Sequence, residues 1–155
     1  MPAGGTVIRL AGQRDALACA ALTMQDDREC GARIEPGFLD RYAQAWLSDH
    51  DRVTFLAVAP DGRPLGMVTA AVLTKLPSSR RPRSRWLHVS LLFVTADARG
   101  GGLGTRLLSA LRQWSLDHDV SRIQLHAAAQ ARGLYERAGF TTASPDLMEW
   151  RRGTP

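Results

Sequence analysis

The 155-residue sequence has little cysteine, few aromatic side chains and no long apolar run. Its two cysteines, Cys19 and Cys30, cannot build a disulfide framework and lack the spacing of metal ligands, so reduced thiols and no metal are expected. No apolar stretch approaches the ~20 residues that span a bilayer. The first residues lack the basic start and apolar centre of a secretion signal. We therefore expect a cytoplasmic protein with no membrane partner.

What is present is typical of one globular domain. Hydrophobic residues make up 45% of the chain and charged residues 23%, which is enough apolar surface for a single core. We expect one domain over residues 1–155, with flexible ends at 1–5 and 153–155. The net charge of +5 includes a basic segment, 75–85, that holds Arg80, Arg81, Arg83 and Arg85. Because neither aromatic residues nor a nucleic-acid-binding motif accompany this segment, a solvated loop is favoured over a nucleic-acid-binding surface.

Apolar periodicity and turn residues predict strands and helices that alternate along the chain. The predicted strands are 6–10, 53–59, 65–73, 86–94, 120–126 and 147–150, and the predicted helices are 15–28, 38–47, 102–117 and 128–138. Strands 53–59 and 65–73 form a hairpin around the turn Pro60-Asp61-Gly62-Arg63. Strands 86–94 and 120–126 are joined by a helix, which predicts a right-handed parallel crossover. The pattern predicts an α/β fold with helices covering a sheet.

A glycine-rich turn separates strand 86–94 from the helix that follows it. Four of the five residues in 100–104 are glycine, and apolar side chains then recur at spacings of three and four from Leu103 to Trp114. The first N–H groups of a helix have no intrahelical partner, and glycines let a ligand approach them closely. This arrangement is typical of a phosphate site, to which Arg99 and Arg106 add positive charge.

Spacing distinguishes the kinds of phosphate-binding turn. The nucleotide-triphosphate loop needs Lys and then Ser or Thr after its last glycine, whereas Thr105 and Arg106 follow Gly104. The dinucleotide fingerprint belongs to an early strand–helix–strand unit with different glycine spacing. A turn that only reverses the chain is the alternative that this stretch alone leaves open.

The stretch resembles the acetyl-CoA pyrophosphate loop of the GNAT acyltransferase superfamily, with the pattern R/Q-x-x-G-x-G/A. Arg99, Gly102 and Gly104 occupy its three defining places. A second segment, 131–140, resembles the family's A-x-x-L-Y-E-x-x-G-F, with matches at Ala131, Leu134, Tyr135, Glu136, Gly139 and Phe140. Ala128 stands where the family often carries Asn, which removes the usual side-chain contact with the pantetheine arm.

The resemblance implies a mixed, mostly antiparallel central sheet with helices on both faces, and transfer of an acetyl group from acetyl-CoA to an amine without a metal. It implies that backbone N–H groups near 92–94 polarise the thioester carbonyl and that Tyr135 protonates the leaving thiolate. The donor-binding residues implied are Leu92, Phe93, Val94, Arg99, Gly100, Gly101, Gly102, Leu103, Gly104, Thr105 and Tyr135.

The proton acceptor is left open by the sequence. Strand 86–94 holds no carboxylate, so His88, His126 or water alone are the candidates. A non-catalytic CoA-binding module on the same fold is a competing interpretation, and an arginine-rich nucleic-acid-binding protein is a weaker one.

The amine acceptor is not identified by any motif. A small molecule or a peptide would serve, and an acidic cluster (Asp26, Asp27, Glu29, Glu35) favours a cationic acceptor whereas the arginine-rich segment favours an anionic one. Homodimers are frequent in the superfamily, so a homodimer is also considered.

Overall fold

A computed structural model describes residues 5–153 of the chain. Across those residues the chain forms five strands: β1 (Val7–Leu10), β2 (Arg52–Val58), β3 (Pro64–Thr74), β4 (Arg85–Val94) and β5 (Arg122–Gln124). The α-helices are α1 (Ala16–Glu29), α2 (Phe38–Ser48), α3 (Leu103–Asp117) and α4 (Arg132–Arg137). The expectation of flexible ends falls almost entirely on residues outside this description. No helix within 5–153 is both long enough and apolar enough to cross a bilayer.

The strands lie in the sheet in the order of the chain, β1-β2-β3-β4-β5. The first four are antiparallel, and β4 pairs with β5 in parallel. The β2–β3 hairpin turns where predicted: the N–H of Ala59 donates to the carbonyl of Arg63 at 2.9 Å, and Gly62 supplies the left-handed backbone at φ +88°. The predicted α/β class, mostly antiparallel with one parallel crossover through α3, is confirmed.

Alternate strand residues divide between two apolar cores, one on each face of the sheet. On one face, Val68 and Leu87 pack with Leu107 and Leu111 of α3. On the other, Leu56, Met67 and Phe93 pack with α1 through Cys19 and Leu22. The sheet is therefore the middle layer, with α3 and α4 on one side and α1 and α2 on the other.

Strand β4 carries a bulge in its middle. Thr69 of β3 faces Leu91 and the next residue, Ala70, faces Val89, so Ser90 is an extra residue on β4. Pairing with β5 stops just before this point, at His88 and Gln124. The second half of β4 therefore has β3 on one side and no strand on the other within residues 5–153.

Three predicted elements differ from the structure. Residues 147–150 do not form a strand: a turn from Ser144 to Leu147 (N···O 3.4 Å) takes up backbone groups there, and Met148 and Trp150 remain 92% and 85% exposed. β5 is three residues long rather than seven, because the N–H of Val120 bonds to Ser115 at the end of α3 and the chain leaves β4 after Gln124. The predicted helix 128–138 is a 3₁₀ turn (Ala129–Ala131) followed by α4.

Candidate functional site

A cleft of about 560 Å³ opens beside the glycine-rich turn, on the α3 face of the sheet, and we call it the glycine-loop cleft. Three parts of the chain meet there: the end of β4, the turn with the start of α3, and α4. Its lining residues are Leu92, Val94, Arg99, Gly100, Gly102, Leu103, Gly104, Thr105, Gln130, Ala131, Leu134, Tyr135 and Arg137. The two motifs, about 30 residues apart in sequence, thus face one cavity.

The structure brings together most of the predicted donor-binding residues, but not all of them. Phe93 is 4% exposed and packs in the core with α1, so only its backbone borders the strand edge. Gly101 does not line the cleft. Gln130 and Arg137 do line it, and the sequence analysis missed them because Gln130 precedes the second pattern and Arg137 occupies a variable place in it. The signal in the sequence that could have indicated Arg137 is that this basic residue directly follows Glu136 of the second pattern, in the last turn of α4.

The glycine loop has room for an anion beside it. Gly100 and Gly102 both have φ +81°, and a Cβ placed on either would meet nothing within 4 Å. Gly102 precedes the first residue of α3, so the free N–H groups of the first helical turn lie at the cleft. The positive end of the helix dipole and the unpaired N–H groups favour phosphate there. The residues present therefore fit the pyrophosphate of CoA.

Two arginines near the glycine loop, Arg99 and Arg106 of α3, bond to other parts of the chain. Arg99 forms an ion pair with Glu29 at the end of α1, donates from Nε to the carbonyl of Val94 at 3.0 Å, and lies 5.6 Å from the ring centroid of Phe93. Arg106 donates to the carbonyl of Thr6 at 2.8 Å. Arg99 thereby ties the loop to β4 and to α1, which is a structural role besides any contact with an anion.

Tyr135 lies in α4 on the wall of the glycine-loop cleft. Its ring is half-buried and meets Phe140 edge-on, with centroids 5.8 Å apart. Burial raises the pKa of the Tyr135 hydroxyl, so the phenol stays protonated at neutral pH. A protonated phenol in a cleft is able to donate a proton.

The two histidines proposed as proton acceptors lie next to each other. His88 is half-buried on β4 and His126 is exposed two residues after β5, with ring centroids 5.5 Å apart in an edge-on arrangement. They stand where β4 and β5 diverge, close to the bulge at Ser90. Within residues 5–153 no three His, Cys, Asp or Glu side chains group closely enough to hold a metal ion.

The arginine-rich segment is partly neutralised. Arg83 forms a salt bridge with Asp119 at 2.8 Å, and Arg85 donates to the carbonyl of His118 at 2.9 Å. Lys75 lies over the ring of Trp86, 4.8 Å from its centroid. These contacts fit the interpretation of the segment as a loop attached to the domain surface.

Comparison with known proteins agrees with this geometry. The profile of the Acetyltransferase (GNAT) family matches residues 15–140. A predicted acetyltransferase from Clostridium acetobutylicum, whose crystal structure contains acetyl-CoA, has a TM-score of 0.77 at 16% identity, covering 94% of this chain and 96% of that one. A ribosomal-protein-alanine N-acetyltransferase from Brucella melitensis biovar Abortus 2308 has a TM-score of 0.72 at 24% identity, covering 97% and 100%. These two likenesses are of fold.

Among curated proteins, a blasticidin-S acetyltransferase from Streptomyces morookaense is 38% identical over 63 residues, which is 39% of this chain and 46% of that protein. The chain thus matches less than half the length of this relative. The fold likenesses and the family profile point to the same family. The chain belongs to the GNAT family.

Proposed function

We propose that this protein transfers an acetyl group from acetyl-CoA to a primary amine of a small molecule or peptide. The observation that carries the proposal is that the glycine loop, the end of β4 and Tyr135 line one cleft. In that cleft an anion site, a strand edge and a proton donor are adjacent, and acyl transfer from a thioester needs these three groups.

The donor is held by the backbone in this proposal. N–H groups between Gly100 and Thr105 bind the pyrophosphate, and the edge of β4 near Leu92 and Val94, which no strand covers on the β5 side, binds the pantetheine arm. Ala128 offers no side-chain hydrogen bond, so β4 has the larger share of that contact. Bound acetyl-CoA would supply an activated acetyl group as a thioester.

The remaining tasks concern protons. A backbone N–H of β4 near 92–94 polarises the thioester carbonyl, and Tyr135 donates a proton to the sulfur as the C–S bond breaks. The amine must lose a proton before or during attack, and His88 or His126 accepts it directly or through water. The pair stands where the two strands separate, which supports this role.

The location proposed for the protein is the cytoplasm. Cys19 and Cys30 are both free thiols, and burial raises the pKa of the Cys19 thiol to about 12, which keeps it inert. Free thiols suit a reducing compartment.

The proposal is tested by incubating the protein with acetyl-CoA and a panel of amines and peptides. Products are identified by mass spectrometry, and released CoA thiol is measured in parallel. Tyr135→Phe should reduce turnover about a hundredfold and leave CoA affinity, measured by calorimetry, unchanged. Full turnover in this variant would refute the role of Tyr135.

Histidine variants separate the two candidate bases. Whichever of His88→Gln and His126→Gln removes the base should lower turnover most, while His50→Gln, an exposed histidine in the connection between α2 and β2, is the matched control. Tight CoA binding without any acetylated product would instead support a non-catalytic CoA-binding module. A strongly salt-dependent gel shift would revive the nucleic-acid interpretation.

A further inference from the structure

A second cleft, of about 320 Å³, lies on the opposite face of the sheet from the glycine-loop cleft, and we call it the α1–α2 cleft. Its walls are α1 and α2, and its floor is formed by Arg52, Thr69 and Ser90 on three adjacent strands. Two residues of the acidic cluster noted in the sequence, Asp26 and Asp27, line it. The cleft as a whole could not be predicted, because its residues come from five elements and match no family pattern.

The α1–α2 cleft reaches the same part of β4 as the glycine-loop cleft. Ser90 and Leu91, at the bulge, line the α1–α2 cleft, whereas Leu92 and Val94 line the glycine-loop cleft. The two cavities therefore border consecutive residues of one strand from its two faces. A molecule seated in the α1–α2 cleft lies next to the strand segment at which we place the thioester.

The floor of the α1–α2 cleft is a connected polar network. Arg52 donates to Asp49 at 2.9 Å and lies within 3.4 Å of both Thr69 and Ser90 hydroxyls. Asp49 thereby neutralises the guanidinium, and the floor adds no net charge to the cleft.

Two carboxylates on the last turns of α1 give the α1–α2 cleft its charge. Asp26 and Asp27 line it and are half-buried, and neither forms a salt bridge with any residue in 5–153. Their neighbour Glu29 is already paired with Arg99. Burial, and next the charge of Asp27, raise the pKa of Asp26, and the charge of Arg99 opposes that rise.

The opposite wall is aromatic and rigidly held. Tyr42 and Trp46 of α2 line the α1–α2 cleft, and the Trp46 indole N–H donates to Thr54 at 3.2 Å, which sets the ring orientation. Aromatic rings attract cations independently of carboxylates. Two different kinds of group, on two helices, thus select the same charge.

We infer that the α1–α2 cleft binds the acceptor and selects an amine that carries a second cationic group, which Asp26, Asp27 and the α2 aromatic rings hold. This inference rests on the proposed function, since it makes the occupant of the α1–α2 cleft the substrate of the same reaction. The reacting amine lies toward Ser90, and the second cation remains at the end of α1.

The test compares three amines of equal chain length on the protein saturated with CoA. Diaminopentane has two positive charges, aminopentanol has one, and aminopentanoate has one positive and one negative charge. Binding is followed by calorimetry, which does not depend on catalysis. We expect diaminopentane to bind about tenfold more tightly than aminopentanol, aminopentanoate to bind weakest, and the preference to shrink as salt is raised.

Variants of the two carboxylates then test whether they cause the preference for diaminopentane over aminopentanol. Asp26→Asn combined with Asp27→Asn should remove most of the tenfold difference, and each single change should remove part of it. Asp40→Asn, an exposed α2 residue outside the α1–α2 cleft, makes the same charge change and should retain the difference.

The inference is overturned if diaminopentane binds no tighter than aminopentanol, or if the double variant keeps the wild-type preference. If the double variant does not fold, the single variants and the wild-type salt dependence decide in the same way. Should the preference hold while acetyl-CoA gives no acetylated diamine, the proposed transfer activity fails and the binding preference of the α1–α2 cleft stands.

Discussion

Substitution of Gly102 by alanine tests the anion site at the glycine loop directly. Gly102 has φ +81°, and an added Cβ meets nothing within 4 Å, so the change introduces backbone strain without a clash. A left-handed alanine costs about 1–2 kcal/mol, and the reduced freedom of the unfolded chain offsets about 0.4–1 kcal/mol of that. The net loss of stability is about 1 kcal/mol, or about 2–4 °C in Tm for a domain of this size.

The effect on CoA affinity should be larger than the effect on stability. The added methyl lies in the space that we assign to pyrophosphate, and relief of strain displaces the N–H groups next to it. Loss of one charge-assisted hydrogen bond costs about 1.5–3 kcal/mol, which corresponds to about a 10- to 100-fold weaker Kd. Calorimetry with CoA measures the affinity, and thermal unfolding of the unliganded protein measures the strain.

Gly31→Ala is the matched control for this experiment. Gly31 follows α1, has φ +80°, and also has nothing within 4 Å of an added Cβ, but it lies outside the glycine-loop cleft. It should lower Tm as much as Gly102→Ala and leave CoA affinity unchanged. Equal Tm losses with unchanged CoA affinity in both variants would refute the assignment of the loop as the pyrophosphate site.

Three further changes test the fold and its charges. Asp15→Asn should lower the free energy of unfolding in urea by about 0.5–1 kcal/mol, because Asp15 accepts two hydrogen bonds from Arg9 and one from the N–H of Gly12. Since the bond from Arg9 is the chief cause of the lowered pKa of Asp15, this loss of stability should fade as the pH falls through that lowered pKa. A loss that persists in acid would contradict the prediction. Asp26→Asn should raise the Tm of the unliganded protein at neutral pH and have no effect on Tm below about pH 3. The reason is that the pKa of Asp26 is raised in the folded protein, so ionisation of this carboxyl opposes folding. An unchanged Tm at neutral pH would refute the prediction. Gly66→Ala should lower the free energy of unfolding, measured by chemical denaturation, by about 1–3 kcal/mol. The added Cβ would lie 2.7 Å from the carbonyl oxygen of Phe93 and 3.3 Å from the Cα of Val94. If the variant is as stable as the wild type, β4 moves freely to make room.

Elements with a strong local signal were predictable from the sequence. The apolar stripe of α3 and the turn of the β2–β3 hairpin lead to bounds within one or two residues of those observed. The 147–150 segment has the same apolar character, but a strand also needs a partner edge, and local composition does not encode whether one is available. For the same reason the length of β5 could not be read from its residues, because it depends on where β4 diverges.

The two clefts also differ in how far their residues could be predicted from the sequence. The glycine-loop cleft is built from two short motifs, so the sequence anticipated most of its lining. The α1–α2 cleft depends on contacts between distant positions, such as Arg52 with Ser90, 38 residues apart. Asp26 and Asp27 were visible as an acidic pair, but the sequence does not tell that neither forms a salt bridge with another residue of 5–153.

The order of the strands has a consequence for how the protein folds. Each strand pairs with the next strand along the chain, so β2, β3 and β4 can pair as successive segments leave the ribosome. Strand β1 is the exception among the first four, because its partner β2 is made only after α1 and α2. The parallel β5 pairs only after the whole of α3 has been synthesised. The gap between β4 and β5, beside which we place the chemistry, is therefore the last part of the sheet to be completed.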